Sequence, residues 1–408
     1  MKRILVLSML LVVFASLAVN AATTKLMFWE QDDPSAQVVM DQLIAKFEKA
    51  YPDVKVERSH FETEDLRKNF IATAIGSEGP DVVFGPNDNL GVFVPGGFVL
   101  SMEKVYGKAF LEKKFDANAL EASKYEGEIF LLPDRNGNEL CLIYNKKLIP
   151  TAPKTMEELI ATTKKLQAEK KVDFGVAFNT VEPFFTVPFL GAFDTFVLSN
   201  PSSEKLAKPT LDLPGVGKMF AYLKGLMDDK IAPRGVDYGA AEGLFKEGKV
   251  ACLINGPWSF AGYVDAGMSI GVARIPSIAG KYPTSWTAVK GYCISAGTKK
   301  LDLAKKFVDF MTSTESQILL VPAHNQIPTT PEAMESPVVK NNVLLASQAE
   351  PVKYGVPMPI VPQMRACWDA LKAVQADVFS NAIKPEEAPA KAQKLALDAL
   401  KQMGINIK

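Results

Sequence analysis

Histidine and cysteine are scarce in this 408-residue sequence, and their scarcity excludes several kinds of chemistry. Only His60 and His324 are present, and no cysteine or histidine pair has the spacing of a metal-binding motif. A zinc site and a histidine-dependent nucleophile are therefore not expected. The sequence also lacks a nucleophile elbow and a phosphate-binding loop. We expect no metal, no cofactor and no catalytic residue.

The sequence has no excess of charge of either sign. Lysine plus arginine and aspartate plus glutamate both number 46, and charged residues make up 23% of the chain. No basic surface is predicted, so nucleic acid is not expected as a partner. The mixture of charges is typical of a solvated protein surface.

Only one long apolar run is present, and it lies at the amino terminus. Lys2 and Arg3 precede an apolar stretch from Ile4 to Leu17, and Val19-Asn20-Ala21 fits a cleavage site. The stretch is shorter than the roughly 20 residues that a membrane span needs. Residues 1–21 are therefore predicted to be a cleavable signal peptide, and the mature protein is expected in the periplasm. No cysteine lies near the junction, so a lipid anchor is not expected.

The four cysteines are predicted to be free thiols. Cys141, Cys252 and Cys293 lie in the apolar runs Leu-Cys-Leu-Ile, Ala-Cys-Leu-Ile and Tyr-Cys-Ile, which suit buried thiols. An oxidising compartment also permits disulfides, and this alternative stays open.

The pattern of apolar residues after the signal indicates an α/β protein long enough for two lobes. The first elements expected are strand 25–29, helix 39–47, strand 54–56, helix 66–75 and strand 81–84. Strands that alternate with helices predict a mostly parallel sheet covered on both faces. Ligands of such sheets bind beyond the carboxyl ends of the strands, where Asp33 and Asp88 lie.

The same alternation restarts in the second half of the chain. Thr155, with Glu158 three residues later, forms a capping box that predicts the start of a helix. The other elements expected are strands 140–144, 174–178, 250–254 and 289–295, and helices 239–247, 301–311 and 388–403.

Five segments resemble the maltose-binding protein family. Ile254–Trp258 contains its Asn-Gly-Pro-Trp sequence, Glu182–Pro188 is similar to its Glu-Pro-Tyr-Phe-Thr-Trp-Pro, and Val361–Trp368 resembles its Pro-Gln-Met helix start. Shorter matches are Leu142–Lys146 and Gly79–Phe84. All five occur in the family's order across essentially the whole mature chain.

The resemblance implies the fold of the solute-binding proteins of ATP-driven sugar importers. That fold has two doubly wound α/β lobes, a hinge of several crossings, and a ligand cleft between the lobes. Lobe one is then expected to hold residues 22–137 and 287–325, and lobe two residues 138–286 and 326–408 with the C-terminal helices. The resemblance also implies a small carbohydrate ligand, a membrane permease as partner, and a monomer.

A sugar cleft needs aromatic rings for the apolar sugar faces and fixed polar groups for the hydroxyls. Phe184, Trp258 and Trp368 fall where the family places its stacking rings, and Glu182 is the matching carboxylate. Lys372 lies one helical turn after Trp368 and so shares its face. For any single ring, a place in the core is the alternative.

The expected polar contacts of lobe one differ from those of the family. Asp33 and Asp88 match its sugar contacts. However, Pro34 stands where the family has lysine, Gly85 where it has tryptophan, and Asn89 where it has arginine.

Two further positions also depart from the family pattern. Arg67 and Lys68 replace a pair of glutamates, and Asn138 falls near a glutamate of the first crossing, close to Arg135 and Glu139. Losing a tryptophan opens space, and replacing acids by bases changes which hydroxyls are accepted. These differences favour a sugar other than maltose, such as another di- or oligosaccharide, with a maltodextrin binder as the alternative.

Two rival functions use the same residues. The carboxylates Asp33, Asp88 and Glu182 could supply the acid pair of a periplasmic glycosidase, although the family resemblance is to binders and we expect no enzyme. The positive groups Arg67, Lys68 and Arg135 leave an acidic or phosphorylated sugar open as ligand.

Overall fold

A computed structural model of the chain describes residues 23–76 and 78–407, so the predicted signal peptide at 1–21 lies outside the described residues. The described part forms two lobes, each built on a β-sheet with helices on both faces. The predicted two-lobed α/β fold is confirmed. In these two ranges no helix is both long and apolar enough to cross a membrane.

The strands are numbered along the chain. They are β1 (Thr24–Glu30), β2 (Val54–His60), β3 (Val82–Pro86), β4 (Lys124–Tyr125), β5 (Glu128–Ile129), β6 (Leu132–Asn136), β7 (Cys141–Asn145), β8 (Phe174–Ala177), β9 (Leu198–Ser199), β10 (Lys208–Pro209), β11 (Val250–Asn255), β12 (Ile270–Ala273), β13 (Trp286–Thr287), β14 (Val289–Ile294), β15 (Ile327–Pro328) and β16 (Val356–Pro357).

The α-helices are numbered in the same way. They are α1 (Pro34–Ala50), α2 (Thr63–Ile75), α3 (Leu90–Phe93), α4 (Met102–Tyr106), α5 (Lys108–Lys114), α6 (Ala117–Glu121), α7 (Met156–Ala168), α8 (Pro214–Asp228), α9 (Tyr238–Lys246), α10 (Phe260–Asp265), α11 (Leu301–Met311), α12 (Thr314–His324), α13 (Pro331–Met334), α14 (Pro337–Lys340), α15 (Val343–Ala346), α16 (Ala349–Lys353), α17 (Pro362–Phe379) and α18 (Ala388–Gln402).

Each lobe has a mixed sheet rather than the mostly parallel sheet predicted. In lobe one the order is β15-β6-β14-β3-β1-β2, with β1 parallel to β2 and β3 but β14 antiparallel to β3 and β6. In lobe two the order is β12-β7-β11-β8, and only β11 and β8 are parallel. The prediction was wrong because chain segments arriving from the other lobe enter the sheet in the reverse direction.

Large apolar side chains fill the space between sheet and helices on both faces. In lobe one, Phe28 of β1 contacts Phe307 of α11 with ring centroids 5.1 Å apart, and Phe47 of α1 packs on the same ring. On the opposite face, Phe70 of α2 contacts Phe93 of α3 at 4.7 Å. Burying each such ring stabilises the fold by about 1.5–3 kcal/mol, so both faces hold their helices firmly against the strands.

Local sequence signals fix where the helices next to the cleft begin. Helix α1 starts with Pro34 and α17 with Pro362. In the first turn a backbone N–H has no partner within the helix, so the missing N–H of proline costs no hydrogen bond there. Helix α7 starts as its capping box predicts, because the Thr155 hydroxyl accepts the Glu158 N–H at 3.1 Å. The Glu158 carboxylate reaches back one residue further, to the Lys154 N–H at 2.7 Å.

The connections between the lobes correct one predicted boundary. Lobe one was expected to end at residue 325, but β15 pairs with β6 in its sheet. The Thr329 hydroxyl donates to the Pro133 carbonyl at 2.7 Å, and Gln317 of α12 accepts the Thr329 N–H at 3.0 Å. These bonds hold the segment through Thr330 against lobe one, so the third crossing comes later in the chain.

The prediction of free thiols is confirmed. Cys141, Cys252, Cys293 and Cys367 are all unpaired and buried. Burial raises the pKa of the Cys252 thiol well above its usual value, which makes this group unreactive.

Candidate functional site

The cleft between the two lobes has a volume of about 910 Å³, counting the space at its mouth. All nine residues that the sequence indicated as ligand contacts line this cleft: Asp33, Arg67, Asp88, Asn138, Glu182, Phe184, Trp258, Trp368 and Lys372.

Three aromatic rings form a continuous wall of the cleft. The ring of Phe184 lies between Trp258 and Trp368, with centroids 6.3 Å and 6.4 Å away. Phe184 is in a 3₁₀ turn, Trp258 follows β11, and Trp368 is on α17. Gly256 is required here because a Cβ at this position would lie 2.0 Å from the Trp258 ring.

Carboxyl groups from both lobes face this wall. Burial raises the pKa of Asp33 to about 7, with the Glu242 carboxylate of lobe two adding to the effect. Burial also raises the pKa of Glu182 to about 7, and Glu64 across the cleft contributes. Lys372 opposes the shift at Glu182. Both acids are poised to accept hydrogen bonds from hydroxyl groups or to bind a proton.

Arg67 lines the cleft, but lobe one already uses its donors. Its guanidinium donates to Asn89 at 2.5 Å, to Glu64 at 2.7 Å and to Asp88 at 2.9 Å. Burial raises the pKa of Asp88, and Arg67 limits that rise. Arg67 therefore orients the neighbouring carboxylates.

The space expected beside Gly85 is filled, which corrects that part of the sequence analysis. A Cβ on Gly85 would lie 2.7 Å from the Asn89 side-chain amide, and Asn89 is held by Arg67. The Asn89 amide therefore occupies the space immediately beside Gly85, where a larger side chain would begin. Lys68 is exposed and is not among the residues that line the cleft.

An ion pair that no sequence motif predicted connects the lobes at one side of the cleft. Arg365 of α17 donates to Glu64 of α2 at 2.6 Å and to Asp369 on its own helix at 3.0 Å. Burial works against ionisation of Glu64, but Arg67 and Arg365 outweigh it and lower the pKa. Arg365 lies one turn before Trp368 on the same helix face, and that spacing was the available signal.

A second set of interlobe contacts centres on Tyr238 of α9, also missed from the sequence. Its hydroxyl donates to Asp33 at 2.9 Å and lies 3.0 Å from the indole nitrogen of Trp258, which donates to it. The ammonium group of Lys290 on β14 lies 5.0 Å from the centre of the Trp258 ring. Burial lowers the pKa of Lys290. Tyr238 thus touches both an acid of lobe one and an aromatic ring of lobe two.

The other charged residues near the first crossing do not line the cleft. Arg135 is fully buried and donates to Asp32 and Asp134, both at 2.8 Å. Glu139 is also buried, and within the described part of the chain no side chain donates a hydrogen bond to its carboxylate. Burial raises the pKa of Glu139 to about 7.

The cleft has the chemistry of a binding site for a polar molecule with apolar faces. It combines aromatic rings with carboxylates and cations supplied by both lobes. Among residues 23–76 and 78–407, no group of three or more His, Cys, Asp and Glu side chains is arranged to hold a metal ion.

Comparisons with known proteins find similarity over most of the chain. The family model described as bacterial extracellular solute-binding protein matches residues 42–347. A maltotriose-binding protein of Pyrococcus abyssi (strain GE5 / Orsay) is 28% identical over 387 residues, covering 93% of this chain and 82% of that protein. A galactooligosaccharide-binding protein of Bacillus subtilis (strain 168) is 24% identical over 391 residues, covering 93% of this chain and 90% of that protein.

A solved structure is similar in both sequence and fold. The maltose/maltodextrin-binding domain MalE from Bdellovibrio bacteriovorus, bound to maltotriose, has a TM-score of 0.87 and 36% identity. The match covers 93% of this chain and 100% of that one.

Proposed function

This chain belongs to the bacterial extracellular solute-binding protein family, and we propose that it captures a neutral oligosaccharide in its cleft and delivers it to an ATP-driven importer. The ligand that we propose is a maltooligosaccharide such as maltotriose. The protein acts in the periplasm as a monomer, closes around the sugar, and hands it unchanged to a membrane permease.

The observation that carries this proposal is the wall formed by Phe184, Trp258 and Trp368. Three rings within 6.4 Å of their neighbours offer an extended apolar surface, which suits the flat C–H faces of consecutive sugar units. Glu182 and Asp33 face the wall from the two lobes and can accept hydrogen bonds from hydroxyl groups. A ligand that contacts both lobes binds the closed form better and thereby favours closure.

The charge pattern of the cleft supports a neutral rather than an acidic sugar. Both guanidinium groups are occupied, Arg67 by Glu64 and Asp88, and Arg365 by Glu64 and Asp369. A phosphate or carboxylate on a sugar would have to displace these internal acids in order to pair with either arginine. Bidentate anion recognition by arginine is therefore not available without breaking the cluster.

The relatives bear on the choice of sugar. One is named a maltotriose-binding protein, two are named solute-binding lipoproteins of maltooligosaccharide transporters, and the structural neighbour holds maltotriose. They favour the maltodextrin alternative over an unrelated disaccharide.

Titration calorimetry of the mature protein, freed of bound sugar by unfolding and refolding, tests the proposal. The panel is maltotriose, maltose, a galactooligosaccharide, sucrose, cellobiose and a sugar phosphate. We expect the tightest binding for maltotriose, with a dissociation constant in the micromolar range or below, and recovery of the sugar unchanged after release.

The outcomes separate the rival functions. Tight binding of the sugar phosphate alone would replace the neutral ligand by an acidic one, and shortened products after incubation would indicate a glycosidase. A folded sample that binds nothing on the panel would contradict the sugar assignment.

A further inference from the structure

A chain of hydrogen bonds crosses from the stacking wall of lobe two to lobe one. The indole N–H of Trp258 donates to the Tyr238 oxygen at 3.0 Å, and the Tyr238 hydroxyl donates to the Asp33 carboxylate at 2.9 Å. Asp33 and Tyr238 are 205 positions apart in sequence and belong to different lobes. Their bond therefore exists only when the lobes are together.

We propose that Tyr238 is a positioning residue that ties the Trp258 ring to Asp33 on lobe closure, and that this closure takes up a proton on Asp33. The inference rests on the proposed function, because it concerns how the same cleft closes on its sugar. Tyr238 acts through Trp258 and does not need to touch the sugar itself.

The Tyr238 hydroxyl is held in one place by its neighbours. Its ring is packed against Phe185, with centroids 5.9 Å apart, so the hydroxyl is held at a fixed place. The Asn255 side-chain amide lies 3.4 Å from the same oxygen and anchors it to the end of β11. The hydroxyl that aligns the stacking ring of Trp258 is therefore also bonded to Asp33, on the other lobe.

Closing the lobes also brings acids together around Asp33. Burial is the largest cause of the raised pKa of Asp33, and Glu242 of α9 from lobe two and Asp32 from lobe one raise it further. Lys290 and the hydrogen bond from Tyr238 oppose this shift without cancelling it. The Glu242 carboxylate is itself held in place, since the Tyr263 hydroxyl donates to it at 2.7 Å and Lys246 pairs with it at 3.1 Å. Opening the lobes would expose Asp33 to water and move Glu242 away, which favours the carboxylate, and would also break the Tyr238 bond, which disfavours it. Burial and Glu242 are the two largest causes, so the net effect of opening is to favour the carboxylate.

The sign of the linkage follows from the closed form holding the proton more tightly. In the closed lobes the pKa of Asp33 is about 7, whereas a solvated aspartate titrates near 3.8. Between these values closure takes up a proton, so sugar binding strengthens as the pH falls through about 7 and levels off near the lower value. From pH 8 to pH 6 the affinity is expected to rise about tenfold through Asp33 alone.

The first test is a double-mutant cycle with Tyr238→Phe and Asp33→Ala, using maltotriose as ligand. Tyr238→Phe keeps the ring that packs on Phe185 but removes the hydroxyl, and we expect affinity to fall on the order of tenfold. The loss should shrink to threefold or less when Asp33 is already alanine. Tyr222→Phe is the matched control, because its buried hydroxyl lies away from the cleft, and it should leave the affinity unchanged.

The second test follows affinity from pH 8 to pH 5. Glu182 also titrates near 7 in the cleft, so the comparison is made in a Glu182→Gln background. Adding Asp33→Asn keeps an oxygen that accepts from Tyr238 but removes the titration. The parent should bind more tightly as the pH falls, and the Asp33→Asn variant should show a flat profile.

The proposal would be overturned if Tyr238→Phe caused the same loss of affinity with and without Asp33→Ala. It would also be overturned if the pH profile were the same with and without Asp33→Asn. If no sugar binds at any pH, the proposed function fails and small-angle scattering of the ligand-free protein decides the inference. The radius of gyration should then be smaller at pH 6 than at pH 8 for the parent, with no such difference for Asp33→Asn.

Discussion

At the scale of single residues, the cleft depends on rings whose surroundings leave them little freedom. Trp368 is only 7% exposed and packs edge-on against Trp286 of β13, with centroids 5.1 Å apart. Trp258 is 8% exposed and is held by Tyr238. A ring fixed in this way loses little side-chain entropy when a ligand stacks on it, so more of the contact energy remains as affinity.

Trp368→Ala should weaken sugar binding by roughly 30-fold or more, the loss of about 2 kcal/mol that is typical of a central aromatic contact. Trp368→Phe keeps a ring and should lose less. Titration calorimetry with maltotriose measures both. Trp29→Ala is the matched control, since Trp29 packs on Phe61 in lobe one and does not line the cleft. An equal loss for Trp29→Ala would show that tryptophan replacement acts only through stability.

At the scale of elements, capping residues fix where a helix begins. Thr155 caps α7 by accepting the Glu158 N–H, which is otherwise an orphan donor of the first turn. Thr155→Ala should lower the free energy of unfolding by about 1 kcal/mol. Urea unfolding measures it, with Thr162→Ala inside the same helix as control. The cap explanation would be wrong if both substitutions had the same effect.

Helices α2 and α17 form another interlobe contact, through Glu64 and Arg365. Both side chains are about one-fifth exposed or less, at 20% and 16%, so the pair is only partly screened by solvent. Arg365→Gln should weaken maltotriose binding about fivefold, corresponding to ~1 kcal/mol for such a pair. The loss arises because the closed form loses a contact that the open form lacks.

Salt provides the check on this interpretation. Raising the ionic strength from about 0.01 M to 1 M should weaken binding by the parent more than binding by Arg365→Gln, because the Debye length falls from roughly 30 Å to 3 Å. Lys394→Gln is the control, as Lys394 pairs with Asp398 on the distant helix α18. Identical salt profiles for the parent and Arg365→Gln would contradict a role of the pair in closure.

At the scale of the whole molecule, the first crossing carries a buried acid. Glu139 lies between β6 of lobe one and β7 of lobe two, and no side chain among the described residues donates a hydrogen bond to its carboxylate. Burial raises its pKa to about 7, so the folded state prefers the neutral acid. The folded protein is therefore less stable when the Glu139 carboxyl is ionised than when it is neutral.

The stability of the protein should reflect this acid. The folded state binds the proton more tightly than the unfolded state, so the contribution of Glu139 is fully favourable below the unfolded pKa of roughly 4.3 and is lost as the pH rises to about 7. At pH 8 the free energy of unfolding of Glu139→Gln, measured with urea, should exceed that of the parent by roughly 2–4 kcal/mol. At pH 4 the two free energies should differ little. The exposed Glu350→Gln is the control. A gain that does not vary with pH would contradict the assignment.

The lining of the cleft was largely predictable from sequence, but the bonds within it were not. All nine indicated residues line the cleft, since the motifs that carry them have specific residue types at specific spacings. Glu64, Arg365 and Tyr238 were missed, because each gains its role from a partner on the other lobe. Arg365 and its partner Glu64 are 301 positions apart, and no local pattern relates them.

What the sequence determined by itself was the position and type of most of the longer elements, the free thiols and, through its resemblance to a known family, the chemical character of the cleft. These follow from local periodicity, caps and short motifs, which depend on neighbouring residues. The tertiary structure alone decided the antiparallel entries into both sheets, the attachment of β15 to lobe one, and the filling of the space beside Gly85 by Asn89. It also decided the contacts of Asp33 with Tyr238 and of Glu64 with Arg365. The reason is physical: these features depend on which distant segments meet in space, and a local pattern of residues carries no record of that meeting.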